Sequence, residues 1–338
     1  MQRTLWVDYA RGIAMIGVMV VHLSAFPNEL IKWIYTWLIP LFFFVAGYVN
    51  NISRQGSFTV YIKHQTRRLI IPYICFNCIN YIYWICIGRN FGISIDNNIE
   101  VWHPLIGILY GNASWLTHAV PLWFIPCLLT TETLFFLIRK LSTRKQRLIT
   151  VITTLSIGFL LYTTLPNQLP WSFAQAFTML TFYLFGNLSK TINIKNTANL
   201  SLLSLVFITT VLSITFLPIL SIANVAYNTL GNYWFFLMTS FIGITSITLS
   251  MILIERKFHN IKLLAFLGQN TLFIMSCHLI LYACIKGFTC FILKLPLDIY
   301  HNIYVNILLV CSTILISIPL IMGVNKYIPW LVGKKIKK

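Results

Sequence analysis

A polytopic bundle of transmembrane α-helices is the fold class this sequence predicts, and three observations predict it. Hydrophobic residues fill 58% of the 338 positions and charged ones only 9%, and mean hydropathy reaches +0.78, well outside the range of soluble globular domains. Apolar runs of about 17 to 25 residues recur from end to end, each long enough to cross a hydrocarbon core of about 30 Å. Basic residues gather in alternate connections. With the N-terminus in the cytoplasm, all of the 25 Lys and Arg residues except Lys32, Arg89, Lys286 and Lys294 fall on cytoplasmic segments or at their membrane edges, as the positive-inside rule requires. The expectation is an all-α integral membrane bundle, one domain over residues 1–338, with about ten transmembrane helices and both termini cytoplasmic.

The helices are expected at about 8–26, 31–50, 69–87, 119–138, 148–165, 172–188, 199–220, 233–254, 265–290 and 303–323. The first carries Asp8, Arg11 and His22 in the stretch DYARGIAMIGVMVVH. Eleven residues make three helical turns with only about 20° left over and climb roughly 16 Å, so Arg11 and His22 share one face. Asp8, three residues before Arg11, lines the same stripe. Polar groups in an apolar span are costly, which makes function the default hypothesis for them; a core histidine linking two helices is the bland alternative for His22.

The second helix ends in PLFFFVAGYV and leads, past Ser53 and Gly56, into the basic run YIKHQTRRLIIPY. Pro72 suits a helix start, where its missing N–H costs least, so Arg67 and Arg68 are expected at the cytoplasmic mouth of the third helix, as functional cations or as interfacial anchors. The longest loop, about 88–118, is exterior and holds Asp96, Glu100, His103, Trp115 and His118; it either covers an acceptor or lies along the interface. Glu132 stands near the cytoplasmic end of the fourth helix, where a carboxyl is protonated and hydrogen-bonded or orients a catalytic group. In the ninth, Asn270 and His278 are eight residues apart and so roughly 80° apart around the axis.

Composition also excludes several classes. The formal charge of +18 is split among short loops such as RKLSTRKQR and the tail GKKIKK, which topology and anionic lipid headgroups explain without nucleic acid. The eight cysteines, at 75, 78, 86, 127, 277, 284, 290 and 311, lie in or beside helices as small apolar residues. Cys75 and Cys78 have the CxxC spacing but no second ligand pair nearby, so no metal is expected. The first apolar segment carries Asp8, Arg11 and His22 and lacks a small-residue cleavage site, so it is expected to stay in the bundle.

Four stretches together resemble the membrane-bound acyltransferase 3 family, and within it the branch of fucose 4-O-acetyltransferases that act on bacterial surface polysaccharides. They are Asp8 to His22, containing the family's Arg-x10-His spacing; Pro40 to Tyr48; the basic run ending in Arg68, Pro72 and Tyr73; and Leu122, Trp123 and Phe124 followed by Leu267 to His278. They span about residues 3–285. Two positions depart from the pattern: Gln65 stands where an Arg-x-x-Arg pair would have its first arginine, and Ala46 where a serine is frequent.

The resemblance implies an integral-membrane O-acetyltransferase that moves acetyl from cytoplasmic acetyl-CoA to a sugar hydroxyl of a surface polysaccharide or its lipid-linked precursor, in the bacterial cytoplasmic (inner) membrane. Acetyl-CoA is then the donor substrate, a glycan and membrane lipids are the remaining partners, and no nucleic acid is involved. On that reading His22, a neutral imidazole, takes the hydroxyl proton; Arg11, Arg67 and Arg68 meet the phosphates of CoA; Asp8 orients Arg11; and His278 binds acceptor, shares proton transfer or packs. Direct transfer and an acetyl-histidine intermediate both remain open. The alternative is a polytopic transporter or flippase of lipid-linked oligosaccharide, although the related halves and interrupted helices common in transporters are not evident. The oligomeric state is undetermined.

Overall fold

A computed structural model of the chain describes residues 4–51, 56–90, 99–139, 144–165, 169–192, 197–258 and 260–335. Ser53 and Asp96 lie outside the described residues. The first half of the chain folds into α1 (Leu5–Val21), α2 (Asn28–Val49), α3 (Phe58–Gln65), α4 (Ile71–Tyr83), α5 (His103–Tyr110) and α6 (Phe124–Ile138). The second half gives α7 (Arg144–Thr164), α8 (Phe173–Ser189), α9 (Asn199–Thr215), α10 (Tyr233–Phe258), α11 (Lys262–Gln269), α12 (Thr271–Phe291) and α13 (Ile303–Tyr327). Among the described residues the only β pairing is the isolated bridge between Asn224 and Thr229. Seven helical segments there are long and apolar enough to cross a membrane.

Helix α1 is the hub, packed against α2, α10, α11, α12 and α13. Lipid tails are as apolar as leucine, so helices in a bilayer associate through close packing and interhelical hydrogen bonds rather than through hydrophobic burial. Both devices are present. At the crossing of α2 and α8, a Cβ on Gly47 would stand 1.9 Å from the Tyr183 carbonyl oxygen, and one on Gly186 would stand 1.9 Å from that of Phe44. The backbones therefore touch, and each helix uses a glycine to allow it. Asn80 Nδ2 donates to Ser276 O (3.0 Å), tying α4 to α12, and Tyr282 Oη donates to Met19 O (3.1 Å), tying α12 to α1. Helix α9 is peripheral, with Leu200, Phe207 and Ile214 exposed; in a bilayer such a face meets lipid.

Three elements differ from their sequence expectation. The third span begins at Phe58 rather than at 69, because Ser57 accepts the Val60 N–H and starts the helix earlier. Pro72 then falls inside a continuous helical path, where it cannot donate to the Arg68 carbonyl. A π-helical turn over Thr66–Ile70 accommodates the proline, the Ile71 N–H bonding back to Thr66 O. The ninth span is broken: α11 ends at Gln269 and Asn270 leaves helical geometry (φ −126°, ψ 25°). Its side chain explains the break, since Nδ2 donates to Phe266 O (2.8 Å) while Oδ1 accepts from Asn325 (3.0 Å) and Lys334 (2.8 Å). The connection over about 88–118 is partly helical among its described residues, α5 being held by Tyr73 Oη donating to Ile108 O (2.7 Å).

These contacts bring the two ends of the chain together. Gly268 lies against Asp8, Gly333 against Arg68, and Lys334 on Asn270, so the start of α1 and the segment after α13 share one end of the bundle.

Candidate functional site

The α1 stripe read from the sequence opens onto one cavity. Arg11, Met15, Val18 and His22, at steps of four, three and four residues, all line one cavity of about 650 Å³, a volume in the range of small-molecule sites. Arg68, Gln269 and Val332 join Arg11 at the end that holds the chain termini. At the other end, near the start of α2, His22 is joined by Tyr35, Val120 and the segment 224–227. The wall between is apolar, from Leu38, Phe42, Phe124, Leu128 and Leu272. Among the described residues of the long connection 88–118, none lines this cavity.

The close approach of α11 fixes the arginine end. A Cβ on Gly268 would lie 1.8 Å from the Asp8 carbonyl oxygen, and one on Gly12 2.3 Å from that of Leu264. The contact brings Gln269 beside buried Asp8, and Gln269 Nε2 donates to Asp8 Oδ2 at 3.2 Å. Arg68 is held separately. Its Nη2 pairs with the buried Glu132 carboxylate, its Nε donates to Gln65 Oε1 (3.2 Å), and Gln65 Nε2 also donates to Glu132. Glu132 is thus an ion-pair partner of Arg68. Gln65 contributes two hydrogen bonds at the position where the related pattern has an arginine. Arg67, the neighbour of Arg68, is exposed and is not part of the cavity wall, because adjacent helical residues point about 100° apart.

At the far end, His22 is the residue that follows the last turn of α1. Its Nδ1 lies 2.7 Å from Val18 O. A carbonyl only accepts, so Nδ1 carries the proton and Nε2 keeps its lone pair. His22 is an exposed residue of the cavity wall, so it is reachable by a molecule in the cavity rather than sealed in a core. His278 stands behind it, fully buried, the ring centroids 4.9 Å apart and edge to face at 68°. Its Nδ1 donates to Ile274 O and Met275 O (3.0 Å each), and its Nε2 has no hydrogen-bond partner among the described residues. Among those residues no three His, Cys, Asp or Glu side chains converge as metal ligands would.

Sequence reasoning found Asp8, Arg11, His22, Arg68 and His278, and the fold brings Arg11, His22 and Arg68 to one cavity, with Asp8 and His278 directly behind its wall. It missed Gln269, the 224–227 segment and Val332, which long-range packing delivers and no local motif announces.

The fold and this site define a class: an all-helical, multi-pass membrane protein with a cavity between its helices that carries guanidinium groups at one end and an imidazole at the other. The family model described as an acyltransferase domain, Acyl_transf_3, matches residues 4–322, and the chain belongs to that family. No curated protein and no solved structure gives a significant match. Family membership supports acyl transfer as its chemistry and gives the transporter alternative no support.

Proposed function

We propose that the protein is an O-acetyltransferase of the bacterial cytoplasmic membrane, with about ten transmembrane helices and cytoplasmic termini, that transfers acetyl from acetyl-CoA to a sugar hydroxyl of a surface polysaccharide or its lipid-linked precursor. The observation that carries this reading is the single cavity with Arg11 and Arg68 at one end and His22 at the other. Cytoplasmic acetyl-CoA has its phosphates at one end of a long pantetheine arm and its thioester at the other. Guanidinium forks suit the first, and the roughly 16 Å rise of α1 between Arg11 and His22 suits the second.

In the reaction the acceptor oxygen attacks the thioester carbonyl while Nε2 of His22 takes the hydroxyl proton. The C–S bond breaks, and the leaving thiolate takes that proton back from the imidazolium. The Nδ1–H bond to Val18 O keeps the ring in the tautomer this step needs. His278 limits the rotation of His22 by its edge contact. Because the His22 end adjoins segment 224–227, in the connection between α9 and α10, the acceptor arrives from the exterior side while the donor arrives from the cytoplasm. Membranes carrying the protein should move labelled acetyl from acetyl-CoA to glycan, and deleting the gene should remove alkali-labile acetyl esters, read by NMR, from the host polysaccharide. Unchanged esters in the deletion strain would refute the assignment.

A further inference from the structure

A second cavity, of about 720 Å³, shares no wall residue with the first. It lies at the end that holds the chain termini, between the start of α1 (Thr4, Trp6), the last turns of α2 (Phe44, Tyr48) and α8 (Phe185, Ser189), and α10 from Ile244 to Arg256. The twelve steps from Ile244 to Arg256 rise about 18 Å, and the wall changes character along them. Phe44, Phe185, Ile244, Leu249 and Ile252 make the deep part apolar, whereas Lys190, Ser189, Glu255 and Arg256 line the mouth.

The charged groups at the mouth are anchored. Glu255 Oε1 accepts the Leu5 N–H (3.1 Å) and so caps α1. Arg256 Nη1 donates to Thr197 O (2.9 Å) and Asn199 Oδ1 (2.7 Å), and Lys190 Nζ donates to Asn50 O. Partial burial lowers the Lys190 ammonium from its ordinary range, so an anion beside it is favoured. Apolar depth and two cations at the rim match a molecule with an acyl chain and an anionic head.

We propose that this groove is a binding site for an anionic phospholipid of the leaflet at the basic end. One acyl chain runs along Phe44, Phe185 and the α10 wall, and the phosphate sits between Lys190 and Arg256. Because Trp6 and Glu255 belong to the same wall, the lipid also braces the start of α1, the helix that carries Arg11 and His22. The inference stands on the groove alone and is independent of which group the protein transfers.

The test is native mass spectrometry of the full-length protein in a neutral detergent, titrated with phosphatidylglycerol or phosphatidylcholine of identical chains. Phosphatidylglycerol should bind about tenfold tighter or more, each basic group near an anionic headgroup contributing roughly 1 kcal/mol. Lys190→Gln with Arg256→Gln should reduce it to the phosphatidylcholine level. Ile252→Trp should exclude both lipids. Monodisperse elution of each variant establishes that it is folded. Equal binding of the two lipids to the unaltered protein, equal phosphatidylglycerol binding by the double variant, displacement by millimolar inorganic phosphate alone, or tighter occupancy by palmitoyl-CoA than by phosphatidylglycerol would each overturn the proposal.

Discussion

Replacing Gly268 by alanine adds one methyl group where the structure has no room for it. The new Cβ would stand 1.8 Å from the Asp8 carbonyl oxygen, against 3.4 Å for an ordinary contact, and the obstructing atom is backbone rather than a pliable side-chain tip. Helices α1 and α11 must therefore separate by roughly 1.6 Å, the difference between those distances. The separation carries Gln269 away from Asp8 and moves one wall of the arginine end of the cavity. Overpacking of this kind costs about 1–3 kcal/mol, which a bundle with this many helix contacts can absorb without unfolding. Function is more sensitive, since a displacement of about 1 Å at a positioning residue costs on the order of 100-fold in rate. The assay is transfer of labelled acetyl in isolated membranes, normalised to the folded fraction by fluorescence-detected size exclusion. Gly287→Ala and Gly323→Ala are the controls, because nothing lies within 4 Å of a Cβ at either site. Gly268→Ala should lose about 100-fold in kcat/KM while both controls stay near the unaltered protein; a folded Gly268→Ala protein with full activity would refute the reasoning about α1 and α11.

Three further outcomes are expected. His22→Ala should lower acetyl transfer by about 10²- to 10⁴-fold, the usual worth of a positioned acid–base group, with normal insertion and elution; retained activity removes His22 from the chemistry. Arg68→Ala should raise the apparent KM for acetyl-CoA by about tenfold or more, the scale of one charge-assisted phosphate contact, and Glu132→Gln should shift it in the same direction by less, because Gln65 still accepts from Arg68 Nε. An unchanged KM in both, measured over a donor titration, contradicts a phosphate-anchoring role. Gly333→Val faces both a left-handed backbone (φ +70°) and a Cβ 2.7 Å from the Arg68 carbonyl oxygen. It should raise the KM for acetyl-CoA with kcat held within about twofold, whereas a fall in kcat alone would place the C-terminal segment outside donor binding.

What the sequence made legible was local. The spacing of Arg11 and His22 is a property of one helix, and it survived folding intact because nothing interrupts α1 between them. The same kind of reasoning failed at Pro72, where proline implied a helix start. A proline reports only that one N–H is missing, and a π-helical turn can absorb that loss mid-helix. It failed at Asn270 too, where apolar periodicity ran on through a residue whose amide is claimed by Asn325 and Lys334, each more than fifty positions away. The pairing of His22 with His278, and the groove walled by α1, α2, α8 and α10, join residues separated by most of the chain. No window of the sequence contains them.

The π-helical turn has a consequence for Arg68. In an uninterrupted α-helix its carbonyl would accept from residue 72, but proline there has no N–H to give, and Gly333 occupies the space beside that carbonyl instead. The residue is thereby gripped from three directions: Glu132 and Gln65 hold the guanidinium, the π-helical turn sets its azimuth on the helix, and the segment after α13 closes over its backbone. Arg67, one position earlier and with none of these contacts among those described, faces outward. A cation meant only to anchor a helix at the membrane interface needs no such enclosure, since its headgroup partners are mobile and interchangeable. Enclosure matters when the charge must meet a particular phosphate at a set distance from a reacting atom. The geometry around Arg68, more than its charge, therefore favours a donor-binding role over interfacial anchoring.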